Sequence, residues 1–306
     1  MKHIFIVNPK SGQGDIQKKL VYGLKKRELD FYLTKWPGDG EEYIKKMCAA
    51  DPSEKIRFYS CGGDGTLNEV VNGIFGFENV EAAAVPTGSG NDFIKNFGIP
   101  FENFKDIDKQ LSGSAVTVDL IKYQESAKDS EVRYAANMFN IGFDCNVVIR
   151  VADVKKLPFV RDSLAYMLSI FLTLIKKEGA DLIIDFEDGT NYRGYVLLTA
   201  IGNGAFCGGG LKGVPEANLN DGVMDVCIIK NISRRTALPL LPKYANGTYL
   251  KDKKIKDYII YKQCKSFTIR GFEERWNLCV DGEIKTAGEI KFEIVPDAVR
   301  FSLPGS

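Results

Sequence analysis

"CGGDGTLNEVVNGI", residues 61–74, is the stretch on which the fold turns. The segment before it, "IRFYSC" (56–61), reads as a strand and "GGDG" as a tight turn. Thr66 with Glu69 three positions later has the spacing of a capping box, so a helix is expected from Leu67. Such a turn faces the free amides and positive dipole end of the helix, which suits an anion. Yet Asp64 stands in it, where its charge should repel one. For this loop alone, a plain strand-to-helix connection that needs small residues competes with the anion site.

Two further stretches repeat the design. "VNPKSGQGD" (7–15) and "AAAVPTGSGNDFIKNFG" (82–98) both run from a strand through glycines, the second into a helix expected from Asp92 with Lys95 in its first turn. Three such loops at successive strand ends define a crevice far better than one. None is a GxxxxGK[ST] loop, and none is GxGxxG with an acidic residue about twenty positions on, so neither a Walker A nor a dinucleotide fingerprint is present. Two of the loops hold an aspartate, Asp64 and Asp92. Carboxylates tolerate phosphates when a divalent cation lies between them, because Mg²⁺ takes one or two carboxylates together with phosphate oxygens and water. Asp64 is therefore expected at a magnesium ion, with loop amides cradling a nucleotide.

Up to about residue 120 short apolar strands alternate with helical stretches, which argues for a parallel sheet with helices packed on it and ligands at the strand ends. Beyond "AVTVDLIKY" the rhythm becomes a two-residue alternation broken by turns, with helical insertions near 147–178 and 233–250. The expected fold is α/β in two domains: an N-terminal α/β nucleotide-binding domain with a parallel sheet (1–120) and a C-terminal antiparallel β-sandwich domain (121–295). The last strand, "VRFSLP", at about 296–306, is read as a segment that can return to the first domain.

The 306 residues are 44% hydrophobic and 26% charged with a net charge of +1, which gives no compositional case for nucleic acid as a partner and fits an ordinary globular chain. The residues before Asn8 read as a strand and not as a signal peptide, so a cytoplasmic location is expected. Seven cysteines without CxxC spacing are expected to be reduced core thiols. The single histidine, His3, disfavours histidine-ligated zinc, Ser-His catalysis and phosphohistidine chemistry, leaving carboxylates, lysines and backbone amides as the chemical groups. "SLAYMLSIFLTLI" (163–175) is too short to cross a bilayer; it reads as a core helix, with membrane contact as the alternative. Around it, Lys155, Lys156, Arg161, Lys176 and Lys177 are either a surface for anionic headgroups or a solvated face.

"NPKSG" (8–12), "GGDGTLNEVVNG" (62–73) and "PTGSGNDFIKNFGIP" (86–100), in that order, resemble the catalytic domain of the diacylglycerol kinase family, in particular its bacterial soluble lipid kinases. The similarity continues through "VDLIKY", "NMFNIGFD", "IGNGAFCGGGLKGVPEANLNDGVMDV" and "CVDGE", and so covers nearly the whole chain. The resemblance implies ATP held by Asn8, Pro9, Lys10, Ser11 and Gly12, by Thr34, by Gly63, Asp64, Gly65, Thr66, Leu67, Asn68 and Glu69, and by Ser89. It implies a carboxylate and water network around catalytic Mg²⁺ made of Asp64, Asp92 and Asp119, and it makes Glu283 the general base. The residues alone read "VDGE" as a hairpin turn; a base there would sit within hydrogen-bond reach of the acceptor, its pKa raised by partial burial. The resemblance also implies a second, structural Mg²⁺ held by the Asp221 side chain and the carbonyls of Asn218 and Val223, where a solvated Asn-Asp-Gly turn is the competing reading.

The activity so implied is an ATP- and Mg²⁺-dependent lipid kinase that phosphorylates the hydroxyl of diacylglycerol to phosphatidic acid. A kinase for another glycerolipid, a sphingoid base or NAD is the alternative, and a non-catalytic nucleotide- or lipid-binding module the rival from another class. The expected partners are the lipid and a membrane surface touched peripherally, with a homodimer among the admitted assemblies.

Overall fold

The computed structural model describes residues 1–12, 15–88, 90–127, 129–154, 176 and 179–305. The N-terminal part alternates β1 (Lys2–Val7), α1 (Ile16–Lys26), β2 (Asp30–Leu33), α2 (Asp39–Ala50), β3 (Ile56–Gly62), α3 (Asp64–Ile74) and β4 (Val80–Pro86). The four strands are parallel in the order β4-β3-β1-β2. β3 and β4 are buried along their whole lengths, as strands covered on both faces must be. Ile4, Ile6 and Phe58 pack with Ile44 of α2 and with Val70 and Val71 of α3, while Phe5, Val7 and Tyr59 pack with Leu24 of α1. The period-2 alternation of β1 thus feeds two helix layers.

Two short helices, α4 (Phe101–Lys105) and α5 (Ile107–Leu111), lead into an antiparallel region. Its elements are β5 (Ser114–Glu125), β6 (Arg133–Ala135), β7 (Met138–Gly142), α6 (Phe143–Val154), β8 (Ala180–Phe186), β9 (Asn191–Gly202), the small pair β10 (Phe206–Cys207) and β11 (Leu211–Lys212), β12 (Met224–Lys230), α7 (Arg234–Ala245), β13 (Ile259–Cys264), β14 (Ser266–Gly271), β15 (Trp276–Val280), β16 (Glu283–Ala287) and β17 (Ile290–Leu303). One face of these strands encloses a core of Phe139, Ile184, Phe267, Trp276 and Phe292. The outer face of β7, β9 and β12 is covered by α6 and α7, with Phe143, Val147, Leu240, Tyr244 and Tyr249 in between.

The two parts are joined through β17. Its first half pairs antiparallel with β14 and β5, its register shifts between Val295 and Val299, and Phe301 then pairs in parallel with Ala82 of β4. Residues 296–303 therefore add a strand to the edge of the parallel sheet. At the bend, Asp297 has φ +48° and its amide donates to Asp119 Oδ1 at 2.8 Å.

Two local expectations are corrected. Helix α3 begins at Asp64, three residues before Leu67, and has no side-chain cap. Thr66 Oγ1 instead accepts from Asn8 Nδ2 (3.3 Å), and the Glu69 carboxylate is taken by the amides of Gly38 and Gly40 at the start of α2 (2.9 and 3.0 Å). A neighbouring helix terminus has outcompeted the local one. The helix expected from Asp92 is a five-residue 3₁₀ turn, Phe93–Phe97, closed by Gly98 at φ +65° and followed by Pro100.

The stretch 163–175, with Lys155, Lys156, Arg161 and Lys177, lies outside the described residues. Among those described, no helix is long and apolar enough to cross a membrane. All seven cysteines are buried and free of disulfides, and His3 Nδ1 lies 2.7 Å from the Tyr59 hydroxyl in a structural pair.

Candidate active site

The C-terminal ends of β1, β3 and β4 deliver the three glycine loops to one place. Gln17 Nε2 donates to Ser11 O (3.1 Å) and to Thr87 Oγ1 (2.7 Å), and the amides of Thr87 and Gly88 donate to Gly62 O (2.9 and 3.0 Å). A Cβ on Gly88 would stand 2.5 Å from Gly63 Cα, and one on Gly12, at φ +83°, 2.7 Å from Thr87 O. The glycines are required because backbones touch there.

Asp64, the first residue of α3, turns its Oδ1 toward the third loop and accepts from the Asp92 amide at 2.8 Å. Burial, with Asp92 and Asp281 close by, pushes its carboxyl up to about 7. A Cβ on Gly90 would lie 2.7 Å from Asp64 Oδ2, so Gly90 is what lets the two loops close around it. Asp92 is clasped from both sides: Oδ1 meets Lys95 Nζ at 2.6 Å, and Oδ2 accepts from the Gly209 amide at 2.8 Å. Gly208, Gly209 and Gly210 all have positive φ, a conformation that the run "GGG" between β10 and β11 permits.

Asp281 is the third carboxylate of this group, and the sequence reading gave it no role. Burial raises it to about 6 even though the Met138 amide (2.9 Å) and Asn68 Nδ2 (3.0 Å) donate to it. Asp281 and Gly282, at φ +45° and +91°, form the two-residue turn between β15 and β16, with Val280 paired to Glu283. Both φ values are positive, as a type I′ hairpin requires. The turn reading of "VDGE" is therefore right, and the same turn sets Glu283 over α3: its Oε1 lies 2.7 Å from where a Cβ on Gly65 would be. Glu283 is exposed, which corrects the expected partial burial.

Asn8, Lys10, Ser11, Gly12, Thr34, Gly63, Asp64, Gly65, Thr66, Glu69, Asp92 and Glu283 all line one crevice. Pro9, Leu67 and Asn68 do not line it: Leu67 is in the core, and Asn68 bridges to Asp281 and to Tyr134 O (3.0 Å). Ser89 lies outside the described residues. Asp119 stands apart from the crevice, with Oδ1 on the Asp297 amide and Oδ2 on the Gly222 amide (both 2.8 Å). Through Gly222 it holds the 218–223 loop, where Asp221 Oδ1 accepts from the Val223 amide (3.2 Å) and Asn218 Oδ1 from the Asn220 amide (3.4 Å). Among the described residues no group of His, Cys, Asp or Glu is arranged as a ready-made metal cage. A cation at Asp64 would therefore be completed by phosphate oxygens and water, as Mg²⁺ commonly is. The burial of Asp64, with Asp92 and Asp281 close by, raises its carboxyl, and such a group of carboxylates fits an ion of this kind.

The crevice, of about 970 Å³, changes character along its length. Polar loops and the half-exposed Trp36 line its N-terminal side; Met138, Phe143, Val147, Leu211, Leu241 and Tyr244 make the other side apolar. Trp36 was legible in "TKWPG" next to Thr34, but neither periodicity nor a motif marked it out. The apolar lining comes from three separate stretches, 138–147, 211 and 241–244, and left no single signal.

Glycine loops and buried carboxylates that open onto an apolar chamber are a lining that suits phosphoryl transfer. Two family models cover the chain: the diacylglycerol kinase catalytic domain matches residues 2–123, and the YegS C-terminal NAD kinase beta sandwich-like domain matches residues 137–303. The chain is 30% identical to a diacylglycerol kinase of Staphylococcus carnosus over 91% of its own length and 87% of that protein. It is 26% identical to the "Probable lipid kinase YegS-like" of Xanthomonas euvesicatoria over 98% and 95%. In fold it matches the crystal structure of a diacylglycerol kinase from Bacillus anthracis with a TM-score of 0.66 at 22% identity, covering 98% of this chain and 96% of that one. The chain belongs to the diacylglycerol kinase catalytic-domain family, in its two-domain soluble bacterial branch.

Proposed function

We propose that this protein is an ATP- and Mg²⁺-dependent lipid kinase that transfers the γ-phosphoryl group to the free hydroxyl of diacylglycerol, giving phosphatidic acid. The observation that supports it best is the crevice, in which glycine loops and acidic groups at one side are continuous with an apolar chamber at the other. A nucleotide triphosphate suits the first and an acyl chain the second. Magnesium would be held by Asp64 with Asp92 nearby, and supplies charge neutralisation on the phosphates. The loop amides bind and orient the phosphates, Lys95 balances Asp92, and Glu283 takes the proton of the acceptor hydroxyl. The 218–223 loop is the proposed second cation site, through Asp221 and the carbonyls of Asn218 and Val223. On this reading the enzyme is cytoplasmic and visits the membrane reversibly.

Labelled ATP offered with diacylglycerol, monoacylglycerol, a sphingoid base and NAD, with products separated by thin-layer chromatography, tests the acceptor. Labelled phosphatidic acid is the expected product, and turnover stops when the divalent ion is chelated. Phosphorylation of NAD alone would overturn the lipid reading.

A further inference from the structure

Helix α7 carries a feature that the crevice does not require. Its first turn holds Arg234 and Arg235 and no acidic residue, although cations belong at the C-terminal end of a helix, where the dipole favours them. Ser233 caps the helix, its Oγ accepting from the Thr236 amide at 3.2 Å, so the arginines are not there to start it. Along one face run Leu238, Leu241, Pro242 and Ala245, at the i, i+3, i+4, i+7 spacing of a single helical stripe. The last three line the apolar side of the crevice, whereas Leu238 is 57% exposed. The stripe thus leads from solvent into the chamber.

The chain after α7 folds back on it, with the Tyr249 ring tilted against Tyr244 (centroids 5.4 Å apart) and Lys243 Nζ 2.5 Å from Asp252 Oδ2. This segment adds the exposed Lys251, Lys253, Lys254 and Lys256. From Arg234 to Lys256 there are seven basic residues and one acidic one, a net charge of +6 in a chain whose total is +1. The rest of the protein is therefore net acidic, and the charge is concentrated on the helix that lines the chamber and on the segment that follows it.

We infer that α7 and the 248–256 segment form a docking face for an anionic lipid bilayer. Arg234, Arg235 and the lysines engage headgroup phosphates, Leu238 enters the interface, and the stripe continues into the crevice as the path by which the acceptor's apolar part leaves the membrane. The assignment of an acceptor to that path rests on the lipid-kinase reading; the docking itself does not. Continuity of an exposed apolar residue with a lipid-sized chamber, inside a basic patch, favours a bilayer over an acidic protein.

Flotation of the full chain with vesicles of phosphatidylcholine alone, or mixed with phosphatidylglycerol, tests this without turnover. The wild type is expected to float with the mixed vesicles and not with the neutral ones, and to be released by high salt. The double variants Arg234→Glu/Arg235→Glu and Lys253→Glu/Lys254→Glu, and the single Leu238→Asp, are each expected to lower partition by about tenfold or more. Turnover of a short-chain, monomeric acceptor should be unchanged in the two charge-reversal variants, since none of their side chains lines the crevice. Equal flotation of wild type and the lysine variant, which alters only exposed side chains, would overturn the inference. So would binding to neutral vesicles, or vesicle-independent self-association abolished by Leu238→Asp, which would make the face a contact between copies. Charge-dependent flotation without any short-chain turnover would sink the kinase reading and leave the docking face standing.

Discussion

Asn68 Nδ2 donates to Asp281 Oδ2 at 3.0 Å, joining residues 213 positions apart and fastening helix α3 to the β15–β16 turn. The same turn holds Glu283, the proposed general base, above Gly65 of the proposed nucleotide loop, so their separation depends on this bond together with the Met138 amide's bond to Asp281 Oδ1. Asn68→Ala should lower kcat by about tenfold or more and leave the KM for ATP within about twofold, because Asn68 does not line the crevice. Asn68→Gln, which keeps the donor, should recover part of the rate. Steady-state kinetics with both substrates varied would check it; a rise in the ATP KM with unchanged kcat would contradict it.

Gly65 offers a complementary test. A Cβ there meets only the mobile end of Glu283, 2.7 Å away, so Gly65→Ala should displace the carboxylate without straining the backbone. Alanine also favours a helix over glycine by about 1 kcal/mol. The variant is expected to melt no lower than wild type while turning over at least tenfold more slowly. Glu283→Gln should cost roughly 10² in kcat with nucleotide binding retained.

Asp64 makes stability pH-dependent. Its carboxyl is raised to about 7 in the folded protein and returns to about 4 on unfolding, so the folded state holds the extra proton between those values. The stabilisation contributed by this proton is fully present below about pH 4 and is lost as pH rises through 7, and Asp281, raised to about 6, contributes with the same sign. Asp64→Asn should therefore raise the Tm of the ligand-free protein by about 5 °C at pH 8 and far less at pH 4. Scanning calorimetry at the two values measures it, and Mg²⁺ with a non-hydrolysable nucleotide should stabilise wild type more than the variant at pH 8.

Glu69 caps a helix that is not its own. Glu69→Ala leaves the Gly38 and Gly40 amides without their carboxylate and should cost about 1–2 kcal/mol in urea unfolding, with Glu69→Gln costing less. An unchanged midpoint for the alanine variant would show that water replaces the cap at no cost.

Much of this was legible in the chain. The alternation of "HIFIVN", "DFYLT", "IRFYSC" and "EAAAVP" with helical stretches is a local periodicity, and it produced β1 to β4 in a parallel sheet. The three glycine loops converge in one crevice with Asp64, Asp92 and Glu283. Less legible was where polar side chains would find partners. Thr66 and Glu69 had the spacing of a cap but were claimed by Asn8 and by helix α2, and Asp119, grouped with Asp64 by resemblance, is taken up by the bend of β17 and the 218–223 loop. Asp281 stood in plain view beside Glu283, yet only the hairpin turn was read from it.

By itself the sequence determined the α/β class, the strand-to-helix glycine turns and the aspartates that stand in them, because periodicity, φ preference and residue identity are properties of a few residues. Tertiary structure alone decided that Asp281 meets Asn68, that Gly209 caps Asp92, and that three separate apolar stretches close one chamber. Those meetings depend on strand order and register between residues far apart in the chain, which no local preference encodes.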